Sequence, residues 1–295
     1  FSKKESEGIR EIIKDKGPVS SLDIEFNEKV NWWWAPTKIG RAALESMYFW
    51  GELVVHNKIN TRKYYDFSHR HIDGEILEAP DPNTDDDSFY NWYVLRRISA
   101  VGMLQNRASD AWLGINGMKS AERNRAFQNL IENKSILEIN TEINTKPFFI
   151  NSKSMDILEK SISGSKRKKR VSFLAPLDNL LWDRKLIKEI FDFEYVWEVY
   201  KPVSQRQYGY YVLPVLFGND FVARFEPVRN RKNSTLEIKN WWWEKSFGNM
   251  KKSEFDNFKK EFNSALIDFM KYLETDRLII SDICRAEKII DWVDL

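Results

Sequence analysis

The chain has little of what binds metals or forms covalent crosslinks. Of its 295 residues one is cysteine, Cys284, and three are histidine. One cysteine excludes a disulfide framework and a cysteine-rich zinc site, and it fits a reducing cytoplasm. A run of about 18 apolar residues is also missing, so no membrane span is expected, and no signal peptide is read at the start. Charge of one sign is scarce as well: 46 Lys and Arg stand against 44 Asp and Glu, a net charge of +2. The molecule is therefore not a polycation, and local clusters must hold any anionic partner. What it has in quantity is apolar, aromatic and charged side chains, at 42%, 14% and 31%. Those proportions describe a globular protein and exclude a disordered one. The length allows two or three domains with real cores.

Residues 7–14 read as a helix stopped by Gly17-Pro18. Ser20 and Ser21 can cap a short second helix, and Thr37 a longer third one. On the third, Ile39, Ala43, Met47 and Trp50 share a face at helical spacing, and Gly51 suits a left-handed end. Two strands around residues 53–55 and 64–67 follow, with a polar turn over 57–62. Helix, turn, helix and hairpin is the order of a winged helix-turn-helix, predicted over residues 1–78. Residues 79–88 are a solvated linker. The same order recurs over 89–150: a helix at 89–105, a short one at 109–113, a third at 120–133, and strands at 136–139 and 148–150. A β-rich domain is predicted over 165–295, with strand-period alternation through 195–240 and a turn at Gly218-Asn219. Its long terminal helix opens at Ser253 with Asp256 in a capping box. Phe255, Phe258, Phe262, Leu266, Phe269 and Leu273 form the buried stripe of that helix, and a closing strand follows at 277–281. The fold class is thus α+β: tandem winged helix-turn-helix domains, then a β-rich C-terminal domain with a long helix.

Cations gather in several places. Lys38 and Arg41 lie on one side of the third helix, and Lys58, Arg62 and Lys63 on its hairpin. Such groups neutralise phosphates when a helix enters a groove and a wing meets the backbone; an ordinary solvated face, or a protein-binding winged helix, uses the same residues. Lys119, Arg123 and Arg125 open the helix at 120–133. The run Lys166-Arg167-Lys168-Lys169-Arg170 reads either as a phosphate track or as a charged loop. Arg206, Arg224, Arg229 and Arg231 bring phosphate-forking side chains to the C-terminal sheet, and Tyr208 and Tyr210 share a strand face for base stacking or for core packing. His69 and His71, two apart on a strand and flanked by Asp66 and Asp73, lack a convincing third ligand, so no metal site is expected. The triplets Trp32-Trp33-Trp34 and Trp241-Trp242-Trp243 are packing elements.

Two stretches stand close together, Leu174-Ala175-Pro176-Leu177-Asp178-Asn179-Leu180-Leu181-Trp182-Asp183-Arg184 and Gln205-Arg206-Gln207-Tyr208-Gly209-Tyr210-Tyr211-Val212-Leu213-Pro214. On these the chain resembles the winged-helix DNA glycosylases of the YcaQ/AlkZ type, which remove alkylated bases and unhook interstrand crosslinks. Gly17-Pro18-Val19, Trp34-Ala35-Pro36-Thr37, Gly51-Glu52-Leu53-Val54-Val55 and Val222-Ala223-Arg224-Phe225-Glu226 extend the likeness in order, with Ala223 where glycine is usual and Val228 where lysine is common. The resemblance implies tandem winged helices around a basic channel, a double-stranded DNA partner, no small-molecule cofactor, and hydrolysis of the N-glycosidic bond of a damaged purine. The family's Gln-apolar-Asp or Gln-apolar-Gln catalytic motif is not found. Gln205-Arg206-Gln207 has a charged centre and reads as a decoy, and Phe1 in place of Met suggests that the catalytic winged helix lies upstream. This chain is then expected to bind DNA without cutting it. The rival reading is a non-catalytic winged-helix DNA-binding or regulatory protein.

Overall fold

The computed structural model describes residues 3–32, 35–164, 168–286 and 292–293. It is a mixed α+β chain in two compact units, residues 1–82 and 83–295.

The first unit opens with α1 (Lys3–Lys16), whose Ile9 and Ile13 are fully buried. The short second helix predicted at Ser20 and Ser21 does not form. Asp23 accepts the Ser20 amide and hydroxyl, both at 2.7 Å, and its own amide bonds Ser20 carbonyl at 3.1 Å. That side-chain bonding satisfies a turn and competes with helix formation. The antiparallel pair β1 (Lys29–Val30) and β2 (Thr37–Lys38) then leads into α2 (Ile39–Phe49). Thr37 is paired with Val30 in that ribbon, so the helix starts one residue later than predicted, and its cap residue Lys38 makes no side-chain cap. Ala43, Leu44 and Met47 pack on Ile9, Ile13 and Leu53. Trp50, expected on that face, is the C-cap residue and is 65% exposed. The strands β3 (Leu53–Ile59) and β4 (Arg62–Phe67) form a hairpin longer than predicted, turning at Asn60-Thr61. Asn60 holds the left-handed φ of 55° that such two-residue turns require. A single turn of helix, α3 (Gly74–Leu77), capped by Asp73, ends the unit.

The second unit begins with α4 (Asp86–Val101), capped by Asp85 and ended at Gly102. The short helix expected near 109–113 is one 3-10 turn that buries Trp112. The helix α5 (Ser120–Glu132) follows near its predicted place, and then the hairpin β5 (Ile136–Thr141) and β6 (Asn144–Asn151), whose strands run longer than the predicted 136–139 and 148–150. Their core, around Phe127, Phe148 and Ile98, also takes in Leu186 from further along the chain. After α6 (Met155–Ile162) comes β7 (Val171–Phe173), then α7 (Arg184–Phe191), whose N-cap Asp183 accepts Leu186 N–H.

Residues 195–212 are not strands. The sheet starts at β8 (Leu213–Phe217) and continues through β9 (Asp220–Asn230) and β10 (Thr235–Trp243). The helix α8 (Lys252–Tyr272) covers one face, placing Phe258, Phe262 and Leu266 against Val215, Phe225 and Ile238. Its N-cap is Lys251 without a side-chain cap, not the predicted box at Ser253. The strand β11 (Arg277–Ile280) pairs parallel to β10, giving the order β11-β10-β9-β8-β7, and α9 (Asp282–Ala286) follows. Strand alternation splits the second tryptophan triplet. Trp241 and Trp243 pack toward α8, while Trp242 stands opposite Arg224 across the ladder and meets Tyr208. Trp33 and Trp34 lie outside the described residues, and Trp32 donates its indole N–H to Glu45 at 2.8 Å. Among the described residues no helix is long and apolar enough to cross a membrane.

Candidate nucleic-acid interface

The hairpin of the first unit carries cations in register. Lys58 and Lys63 face each other across β3 and β4, and Arg62 stands opposite Ile59 beside the turn. Like charges directly opposite repel one another, so the hairpin is spending stability to keep them together. On the neighbouring helix, Arg41 bonds Glu45 four residues on, at 2.9 Å. Arg41, Leu44 and Glu45 from α2, Thr61, Arg62, Lys63 and Tyr65 from the hairpin, and Ser21 from the turn enclose a notch of about 380 Å³. Lys63 also lies 5.7 Å from the ring of Tyr48. Three cations and one carboxylate line this concavity, and its polar edge (Ser21, Thr61) supplies hydroxyls. Such a surface accepts phosphate oxygens. Lys38 is exposed outside the notch and bonds Asn27 at 2.8 Å. Of the five cations predicted in this region, three line the notch, and Lys58 lies across the hairpin from one of them. Ser21 reads in the sequence as a helix cap and Thr61 as part of a polar turn, and neither is expected at a site; both line the notch.

The predicted cations of the second unit are mostly engaged. Arg123 is buried, its guanidinium bonds Asn106 at 2.9 Å, and burial lowers its pKa. Arg125 pairs with Asp87 of α4 at 2.6 Å, and the Lys119 amide donates to Glu122 at 2.9 Å. Lys166 and Arg167 lie outside the described residues. Lys168 bonds Glu261 at 2.6 Å and Lys169 bonds Glu254 at 2.5 Å, so this part of the run is tied to α8. Arg229 pairs with Glu274 at 2.9 Å, and Arg231 is exposed in the turn after β9.

Arg224 is an interior residue. It is 3% exposed, ion-paired with Glu244, bonded to Glu194 carbonyl at 3.1 Å, and placed against the rings of Phe193 and Tyr208 at 4.7 and 4.1 Å. Tyr208 and Tyr210 are not alternating strand residues, because carboxylates take the amides a ladder would use. Glu198 accepts N–H from Gln207, Tyr208 and Gly209 at 3.1, 2.8 and 3.4 Å. Glu226 accepts Tyr210 N–H at 2.9 Å. Tyr210 instead lies under Arg206, whose Nε–H goes to Lys201 carbonyl. Burial opposes ionisation of Glu198, but Lys201 and the three amides outweigh it and draw its pKa down to about 2.

Two outcomes follow at this loop. A Cβ on Gly209 would sit 2.7 Å from the Glu226 carboxyl carbon. Gly209→Ala should therefore destabilise the second unit by about 1–3 kcal/mol in urea unfolding, the usual result of forcing atoms into a packed site. Acid should loosen the same loop. Glu198 falls from an ordinary 4.5 to about 2, so the folded chain holds fewer protons than the unfolded one between those values. Its contribution is complete above about pH 4.5 and is lost as pH falls toward 2. Melting temperature measured across that window should drop more steeply for the parent than for Glu198→Gln.

A helix running into a cation-bearing hairpin, followed in the chain by a helix-backed five-stranded sheet, defines a mixed α+β protein whose smaller unit bears a basic notch. The chain belongs to the AlkZ-like DNA glycosylase family: the family model described as "DNA glycosylase AlkZ-like" matches residues 2–272. Its fold is similar to that of the Streptomyces sahachiroi DNA glycosylase AlkZ, with a TM-score of 0.50 and 14% sequence identity over 81% of this chain and 57% of that one. The chain thus spans a little over half the length of that protein.

Proposed function

We propose that this chain binds double-stranded DNA through the first unit, in the service of a DNA-repair reaction that hydrolyses the N-glycosidic bond of alkylated or crosslinked purines. In this reading residues 1–78 act as a winged helix-turn-helix, with α2 toward a groove and the β3–β4 hairpin as the wing on the phosphates. Residues 89–150 repeat the helix-and-hairpin order, and 165–295 form a β-rich domain with a long helix. The observation that carries the proposal is the convergence of Arg41, Arg62 and Lys63 on one notch, in a chain whose family is made of DNA glycosylases.

The chemistry is consistent with a binding role. Cations on a concave surface release counterions from DNA, which gives affinity without reading sequence. The buried carboxylates of the second unit are engaged: Glu198 and Glu226 hold the loop at 207–210, Asp183 caps α7 and Glu261 pairs with Lys168, and a carboxylate with a pKa of about 2, as at Glu198, is a poor base. The proposal predicts binding to duplexes of unrelated sequence with similar affinity, and a steep linear fall of log K with log salt. Fluorescence anisotropy checks both. Absence of binding at low salt, or binding indifferent to salt, would contradict the role.

A further inference from the structure

We propose that His56, Asp66 and His71 form a binding site for a divalent transition metal of the zinc type. The site lies in the first unit and stands apart from the DNA-binding role given above.

The fold assembles these residues from three places. Val54 is the cross-strand partner of Asp66, and His56 follows two residues later on β3. The ladder slips between Val55 and Asn57, so His56 is the bulged residue. A bulge of this kind re-aims a side chain at a chosen neighbour. Beyond β4 the chain turns through a 3-10 helix at Ser68–Arg70, which carries His71 back over Asp66. One ligand atom from each of the three residues lies within 4.8 Å of the other two. His71 Nε2 is 2.7 Å from Asp66 Oδ2, and the two imidazole rings are 5.0 Å apart. The sequence spacing had paired His69 with His71. His69 instead stacks on Phe67 at 5.1 Å, and the 3-10 turn, not a strand, separates the two histidines.

The donor set selects the metal. Two imidazoles and one carboxylate suit zinc and its neighbours, whereas calcium and magnesium need more oxygen ligands. Bonds of about 2.0–2.1 Å in a tetrahedron place ligand atoms roughly 3.3 Å apart, a small adjustment of exposed side chains. The metal would take the place of the hydrogen bond between His71 and Asp66, and the imidazole proton it displaces would leave to solvent. Asp66 is already oriented for this. Its buried carboxylate accepts Phe67 N–H at 2.8 Å and Arg70 Nη1 at 3.0 Å through Oδ1, leaving Oδ2 toward the histidines. Such outer bonds fix a ligating carboxylate. His56 and His71 are exposed, which supplies an entry path and a fourth position for water.

The test uses the full 295-residue chain, stripped with chelator and dialysed, titrated with zinc chloride by calorimetry and followed by thermal melting. One zinc ion per chain is expected, with a raised melting temperature. His56→Ala and His71→Ala should each weaken zinc binding by at least about tenfold and abolish the zinc-induced rise in melting temperature, each variant being compared with its own metal-free melt. His69→Ala should bind as the parent does, and magnesium should not bind at the same concentration. No zinc binding by the parent, or parent-like affinity in both His56→Ala and His71→Ala, would overturn the assignment.

Discussion

Arg224→Ala should cost the second unit about 3–5 kcal/mol, as expected when one partner of a buried ion pair is removed. The guanidinium balances Glu244, bonds the carbonyl of Glu194, and fills the space between Phe193 and Tyr208. Deleting it leaves a carboxylate with restricted access to water and a gap between two rings. The loss should appear as a lower midpoint in urea unfolding. Replacing both partners, with Arg224→Met and Glu244→Leu together, should recover most of it, because the cost lies in the orphaned charge and not in the missing attraction. Arg62→Ala, on the exposed hairpin, should change stability by no more than about 0.5 kcal/mol. If Arg224→Ala were equally mild, the interior placement of this arginine would be wrong, and a surface role in phosphate binding would regain its case.

That contrast also marks what the sequence could reveal. The helix at 39–49, the hairpins at 53–67 and 136–151, the Gly218-Asn219 turn and the stripe on α8 were all readable, because each depends on local periodicity and turn chemistry. Arg224 was not. It sits on β9 between apolar neighbours and looks like an exposed cation on a strand, but its partners Phe193, Tyr208 and Glu244 come from three other segments. Arg123 misled for the same reason, since its partner Asn106 is 17 residues away. In residues 205–212 the tyrosines alternate as a strand would, yet Glu198 and Glu226 draw in their amides, so the period carried no ladder. The second helix predicted at Ser20 failed for a local reason: Asp23, three residues on, reads equally well as a partner that closes a turn. At the candidate interface, residue types and approximate positions were legible. Which cations converge on one notch depends on the register of β3 and β4, which places Lys58 against Lys63 and brings Arg62 beside the turn.

The second large effect concerns that notch. Arg41, Lys58, Arg62 and Lys63 are exposed, so replacing all four with alanine should leave the melting temperature nearly unchanged. It should nevertheless remove most of the salt-dependent affinity for duplex DNA. Each phosphate contact contributes about 0.9 to the slope of log K against log salt, so four lost contacts should lower its magnitude by roughly 3–4. Duplexes of unrelated sequence should be affected alike, because phosphate contacts carry no base information. Arg41 is shared with Glu45 and is expected to contribute least of the four.

The most direct measurement is therefore the salt dependence of duplex binding, by fluorescence anisotropy, for the parent chain and this folded quadruple variant side by side. The account predicts a steep slope for the parent and one shallower by roughly 3–4 for the variant. An unchanged slope and affinity in a variant that melts with the parent would remove the DNA-binding face from the first unit.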